Sequence, residues 1–146
     1  MEIPGSVLQD MMRFTVSVGD VFLIEMDESD GITPKDGDDT RHKYFVVLGF
    51  DGMGNVYGGV VINSRINQHT SPMVKQYQMP TSCTKYPFLK YNSFVNCSRL
   101  KTAPLTKLTN GKFMGVVEKE DVTLITETVK TSPHERANRL RQFGLI

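Results

Sequence analysis

The sequence predicts a mainly β protein, built on a small and strongly bent antiparallel sheet or barrel with a few short helices. At least five short runs are rich in β-branched and aromatic residues, and glycine, proline, asparagine and aspartate separate them. Helical periodicity appears mainly late in the chain. Strands and helices therefore do not alternate as a βαβ arrangement would require.

Two strands of a hairpin form the centre of this prediction. "KYFVVLGF" (residues 43–50) is apolar on both faces, "DGMGN" supplies turn residues, and "VYGGVVIN" (56–63) returns. A further strand at 20–26 precedes them, in "VGDVFLIEM". An acidic loop rich in Asp, Gly, Thr and Pro connects this strand to the hairpin.

The next segment is predicted to be irregular, with one short strand around 74–78, because it holds three prolines and many polar residues. "NSFVNCSRL" (92–100) and "KFMGVV" (112–117) are further predicted strands. Between them, "TAPLTKLTNG" favours a tight helical turn that ends at Gly111.

The last part of the chain has helical features. Val122, Ile125 and Val129 fall three and four residues apart, as one face of a helix requires. The sequence "SPHE" has the form of a capping box with proline at the first helical position, and it predicts a basic helix over 133–143.

Size and composition indicate one soluble domain over residues 1–146, with its core at about 19–130. Hydrophobic residues make up 39% and charged residues 23%, and no apolar run approaches the roughly 20 residues that cross a bilayer. The N-terminal sequence does not fit a signal peptide, so a cytoplasmic location without membrane contact is expected.

Charge and cysteine content limit the possible partners. Lys and Arg number 17 against 16 Asp and Glu, so the broad positive field of a bulk nucleic-acid binder is missing. Cys83 and Cys97 lack metal-type spacing and are expected to be reduced thiols, with no metal site and no cofactor. A polyanion would have to be bound locally, and the densest basic cluster is Arg41, His42 and Lys43.

Three blocks of sequence resemble the MazF/PemK family of toxin-antitoxin ribonucleases, across roughly Gly19 to Val129. They are "GDVFLIEMD", "KYFVVLG" with "GGVVINS", and "SFVNCSRLKTAPLTKL" with "GVVEKEDVTLI". The resemblance implies an SH3-like barrel, cleavage of single-stranded RNA without a metal, a homodimer, and an antitoxin peptide laid across the groove.

The resemblance also implies a site at the ends of the two hairpin strands. Family members carry an Arg-Pro at the start of the second strand and a Thr or Ser at the end of the third. Here Lys43-Tyr44 stands in place of Arg-Pro, with Arg41 two residues earlier, and Ser64 stands where the hydroxyl residue is expected.

These residue types suit metal-free cleavage, in which the ribose 2′-OH attacks phosphorus. The protein must stabilise the charge that grows on the phosphate and move protons, tasks for a cation and a proton carrier. Alternation along a strand places Arg41 with Lys43 and turns His42 away, so Lys43, Arg41 and Ser64 rank above His42 as catalytic candidates. Asn63 and Arg65 are candidate substrate contacts.

Other interpretations remain open at this stage. A basic triplet before a strand is also typical of a solvated strand entrance, and "RANRLRQ" is typical of a solvated helix face. His69 and His134 are expected at the surface. Because the Arg-Pro is absent, the alternative function is a barrel that has lost catalysis and binds RNA or a protein partner through the same surface.

Overall fold

The computed structural model describes residues 16–27, 41–66 and 69–146, and within these ranges the chain forms seven strands and four helices. The strands are β1 (Asp20–Met26), β2 (Arg41–Phe50), β3 (Val56–Asn63), β4 (Gln78–Thr81), β5 (Ser93–Asn96), β6 (Lys101–Pro104) and β7 (Lys112–Val116). The helices are α1 (Pro72–Lys75), α2 (Leu105–Asn110), α3 (Lys119–Thr131) and α4 (Ala137–Gln142).

All seven strands belong to one antiparallel sheet, which confirms the mainly β class. The strand order is β4-β5-β3-β2-β1-β7, and β6 pairs with the first half of β3. Within the described ranges no ladder joins β4 to β7, so the sheet is open and the predicted closed barrel is not formed. β4 is poorly suited to further pairing, since it has four residues and Pro80 lacks an N–H.

The predicted hairpin of β2 and β3 lies at the centre of the sheet. Tyr44 faces Ile62 and Phe50 faces Tyr57, and Asp51 closes the turn by accepting a hydrogen bond from the Asn55 N–H. β2 begins two residues before the apolar run, because its ladder with β1 extends to the pair of Met26 and Arg41.

The segment after the hairpin differs from the sequence prediction. The strand expected around 74–78 is not formed there, since α1 extends into that range and ends at Lys75, and β4 begins only at Gln78. The Ser71 hydroxyl accepts a hydrogen bond from the Val74 N–H, and Pro72 opens the helix, so local capping favours the helical turn.

Only the first part of the predicted 92–100 strand pairs in the sheet. Only Ser93–Asn96 forms β5, since the Asn96 side chain accepts hydrogen bonds from the N–H and hydroxyl of Ser98 and the chain turns there. β6 then starts at Lys101 along the same edge of β3. α2, which is followed by Gly111, and β7 both lie where the sequence predicts them.

Each face of the sheet carries its own core. Alternate residues of β2 and β3 point to opposite sides, so Val46 and Val60 enter one core while Phe45 and Val61 enter the other. Ile125 of α3 lies in the first core, and Leu108 of α2 lies in the second. The two faces are therefore separate environments, and a residue's position along a strand decides which it meets.

The helical face predicted at 122–129 is confirmed, since Ile125 and Val129 of α3 are buried. The C-terminal helix is shorter than the predicted 133–143. It begins at Ala137 because Ser132 and Glu135 have other partners: the Ser132 hydroxyl donates to the Ser98 carbonyl, and the Glu135 carboxylate accepts from the Leu100 N–H at 2.5 Å. The predicted capping box instead ties this segment to the chain before β6.

Two backbone positions in the hairpin admit the C-terminal segment only because they lack a side chain. Gly49 lies where the register of β2 and β3 shifts, and a Cβ there would stand 2.0 Å from the carbonyl oxygen of Phe143. A Cβ at Gly58 would stand 2.6 Å from the Phe143 ring. Phe143 itself is buried in the first core.

We expect Gly49→Ala to lower the free energy of unfolding by about 1–3 kcal/mol, because the added methyl meets main-chain atoms that have little room to move. Gly52→Ala is the matched control, since a Cβ there meets nothing within 4 Å. Urea unfolding of both variants and of the wild type measures the difference. Equal losses in the two variants would contradict the predicted packing of Phe143 on Gly49.

Candidate functional site

The candidate residues gather at the open end of the β2–β3 hairpin. Arg41, His42 and Lys43 open β2, and Asn63 closes β3 with Ser64 and Arg65 directly after it. Antiparallel strands paired at Tyr44 and Ile62 bring these ends to the same place.

Lys43 and Asn63 are in direct contact. The Lys43 Nζ donates a hydrogen bond to the Asn63 Oδ1 at 2.5 Å, and Lys43 is only 9% exposed. Both residues lie on the face of Phe45 and Val61, where the second core begins. Burial weakens the screening of the ammonium by water, so its interaction with a nearby anion is stronger than at an open surface.

Arg41 and His42 lie on opposite faces of β2. Arg41 stands opposite Met26 of β1 and shares the face of Lys43. His42 stands opposite Glu25, is exposed, and points to the other side. Arg41 and Lys43 therefore share a face and His42 does not, as strand alternation predicts.

Ser64 and Arg65 follow β3 in a bend and are both exposed. Ser64 directly follows Asn63 in the sequence, but the side chain that accepts the hydrogen bond from Lys43 is that of Asn63. Sequence reasoning had placed Asn63 only as a substrate contact. Hairpin register could have indicated the pair, since a residue one step outward from Tyr44 faces one a step outward from Ile62.

A second basic group, which the sequence analysis did not combine, lies where β6 meets the C-terminal segment. Burial, followed by the charges of Arg99 and Arg139, lowers the pKa of Lys101, while Glu135 acts in the opposite direction. Arg139 donates to the Leu100 carbonyl at 2.9 Å. The predicted solvated face of α4 is thus partly used in holding the helix to β6.

The expected positions of the histidines are confirmed in part. His69 is exposed, whereas His134 is half-buried and its Nε2 is shielded from solvent. The Arg99 side chain donates to the His134 carbonyl, so the residue belongs to the contact between the C-terminal segment and the sheet.

A group of titratable residues lies on the opposite face, between α3 and the loop before β5. The Tyr86 hydroxyl donates to Asp121 Oδ2, and the Lys85 ammonium lies 2.9 Å from the same oxygen. The Glu118 carboxylate lies 3.2 Å from Lys85, and the Glu118 N–H donates to the Tyr86 hydroxyl at 3.1 Å. These contacts fasten the start of α3 to the loop.

Burial and these contacts together shift the pKa values of Asp121, Tyr86 and Lys85. The hydrogen bond from Tyr86, followed by the contact with Lys85, holds the pKa of Asp121 below its ordinary value despite burial. Burial, followed by the hydrogen bond to Asp121, raises the pKa of Tyr86 to about 12. The hydrogen bonds to Asp121 and Glu118 raise the pKa of Lys85.

The described residues contain no group of three or more His, Cys, Asp or Glu side chains that could hold a metal ion. Cys83 and Cys97 are both free, and burial raises the pKa of the Cys97 thiol to about 12. In the same part of the chain, no helix combines the length and apolar character needed to span a membrane.

We predict that Tyr86 makes stability depend on alkaline pH. Its folded pKa is raised, so its contribution is complete below the ordinary tyrosine pKa of about 10 and is lost as pH rises toward 12. The free energy of unfolding of the wild type should fall across this window, and less steeply in Tyr86→Phe. Denaturant unfolding at several pH values measures the slopes, with Tyr91→Phe, at a 66% exposed site, as control. A Tyr86→Phe slope equal to that of the wild type would contradict the prediction.

Comparison with known proteins adds no family to this geometry. A scan against models of protein families finds no match, and a search of curated proteins finds none. The resemblance to the MazF/PemK family therefore depends on the quoted sequence blocks, and the activity it implies is a proposal.

Proposed function

We propose that this chain is a metal-independent endoribonuclease that cleaves single-stranded RNA by attack of a 2′-OH on the adjacent phosphate. The observation that supports it is the Lys43–Asn63 pair at the open end of the hairpin. Arg41 shares its face, and the exposed Arg65 follows the partner strand. Several cationic groups thus meet at one end of the sheet, although the chain as a whole is nearly neutral.

Lys43 has the central role in this proposal. Its ammonium stabilises the negative charge that grows on the phosphate oxygens, and it donates a proton to the leaving 5′-oxygen. The proton of the attacking 2′-OH passes to water, and Lys43 regains a proton from solvent. Asn63 fixes the Nζ position through its Oδ1 before the RNA binds. A donor held in place in advance needs little reorganisation during the reaction.

The remaining residues contact the substrate around this centre. Arg41 clamps a phosphate with its planar guanidinium, and Arg65 binds a neighbouring phosphate from the bend after β3. Ser64, exposed in the same bend, orients the reacting group through its hydroxyl. His42 serves as base only for RNA that wraps around the strand end, since it points to the opposite face.

One observation favours a second function, an RNA-binding or partner-binding module without catalysis. Lys43 is 9% exposed and already bonded to Asn63, and Tyr44 follows it where the family has proline. A buried, bonded lysine attracts a phosphate without necessarily reaching its leaving oxygen. Cleavage and binding therefore have to be measured separately.

The proposal includes a homodimer and an antitoxin protein as partners, in the cytoplasm. An exposed apolar strip on β7 supports a dimer: Phe113 is 55% exposed and Val116 is 56% exposed, on a strand that ends the described sheet path. An exposed edge of this kind is a template for pairing with a second chain.

In a cleavage assay with a single-stranded RNA and a chelator present, Lys43→Ala should reduce the rate by about 100-fold, since it removes a preorganised donor. Ser64→Ala should reduce it less, and Arg41→Ala should weaken RNA binding and its dependence on salt. Lys119→Ala, which removes an exposed lysine on α3, is the matched charge control.

Each outcome of this assay separates the two functions. Wild-type protein that binds RNA without cleaving it would establish the binding module in place of the nuclease. Cleavage at the wild-type rate in folded Lys43→Ala would show that the active site lies elsewhere. Circular dichroism and thermal unfolding establish that each variant is folded.

We expect light scattering at micromolar concentration to give the mass of a dimer. Val116→Glu should shift the population toward the monomer, because it puts a charge on the exposed strip of β7. Met53→Glu alters an apolar side chain that is 74% exposed in the hairpin turn and should leave the mass unchanged. A wild-type monomer would contradict the proposed assembly.

A further inference from the structure

A pocket of about 320 Å³ lies between α3, the first-core face of the sheet and the chain from β4 to Phe88. Val46, Ile62 and Val95 form its floor, and Ile125 of α3 closes one side. Leu124 stands at the rim and is 57% exposed. Three separate parts of the chain enclose the space, which is the shape of a small-molecule site rather than of a flat docking face.

Most of the residues that line the pocket are apolar. An apolar cavity of about 150 Å³ holds one benzene ring, so a pocket of this size has room for a bicyclic body. Met79 lines the pocket beside the aromatic rings of Tyr86 and Phe88. A flexible thioether among aromatic rings adapts to a flat ligand.

Asp121 and Lys85 are the charged residues of the lining, and Thr81 and Ser82 are further polar ones. The Lys85 ammonium also contacts the carboxylate of Glu118, which lies outside the lining, so these three residues together carry a net charge of −1. Within the described chain, the contacts made to Asp121 by Tyr86 and Lys85 both use Oδ2. The Oδ1 of this partly exposed carboxylate therefore remains to accept a hydrogen bond from a ligand.

The pocket is distinct from the proposed RNA site. Ile62 points into the pocket, whereas its neighbour Asn63 points to the opposite face and holds Lys43. The two sites share strands β2 and β3 but not a surface.

We infer that this pocket binds a small organic cation, with an apolar body of about two fused rings among the sheet residues and an ammonium group at Asp121. The apolar floor determines the body. The head group is a cation because Lys85 is already paired with two carboxylates, whereas Asp121 keeps its Oδ1 as an acceptor in the lining. An anionic ligand of the same shape would meet the Asp121 carboxylate beside an ammonium that is already paired with two carboxylates, so its binding is disfavoured.

The probes are 1-naphthylmethylamine, a cation, and 1-naphthoate, an anion with the same ring system, titrated calorimetrically into the full chain. The amine should bind at least about tenfold more tightly than the acid, since only the amine can donate a charge-assisted hydrogen bond to Asp121. Asp121→Asn should weaken amine binding by about tenfold or more. Glu120→Gln, at an exposed neighbouring position on α3, should leave it unchanged.

NMR chemical shifts of the wild type give a readout that does not depend on any variant. The amine should shift the amide signals of Met79, Tyr86 and Ile125, and leave those of Lys43 and Asn63 in place. No binding of either probe at millimolar concentration, equal binding of both, or shifts confined to other residues would each overturn the inference. So would undiminished amine binding by folded Asp121→Asn.

Discussion

The pairing of β2 with β3 is the interaction on which the rest of the structure depends. Val46 and Val47 are fully buried although they are neighbours, because the hairpin is covered on both sides. Every other strand adds to this pair: β1 and then β7 extend it on one side, and β6, β5 and then β4 extend it on the other. A slip of one residue in its register would exchange the side chains of the two cores.

The same register separates the two candidate sites. Odd-numbered residues of β3 such as Val61 and Asn63 point to the second core, and even-numbered ones such as Ile62 point to the first. Lys43 consequently meets Asn63 at the end of one core, while the pocket beneath α3 opens from the other. Two chemically different surfaces result from one pair of strands.

The C-terminal segment depends on the hairpin in a different way. Gly49 and Gly58 leave space for Phe143, and the Glu135 carboxylate binds the Leu100 N–H, which is 35 residues away in sequence. The carboxylate accepts the hydrogen bond of this N–H, so neither polar group is left without a partner when the C-terminal segment covers that end of the sheet. The segment was expected to be a simple basic helix with a solvated face, yet Arg139 also donates to the Leu100 carbonyl.

The sequence by itself determined the central hairpin, β1, β7 and the buried face of α3, because each follows from residues close together in the chain: β-branched runs, turn residues and a 3.6-residue period. It also indicated that Arg41 and Lys43 share a face. The register of the predicted hairpin likewise sets Lys43 opposite Asn63. Only the tertiary structure decided that the sheet stays open and that Glu135 binds Leu100. The pocket likewise needs α3, β4 and the sheet together. These features join residues far apart in sequence. A short-range sequence pattern does not indicate which distant backbone group or side chain will form a hydrogen bond with a buried polar group.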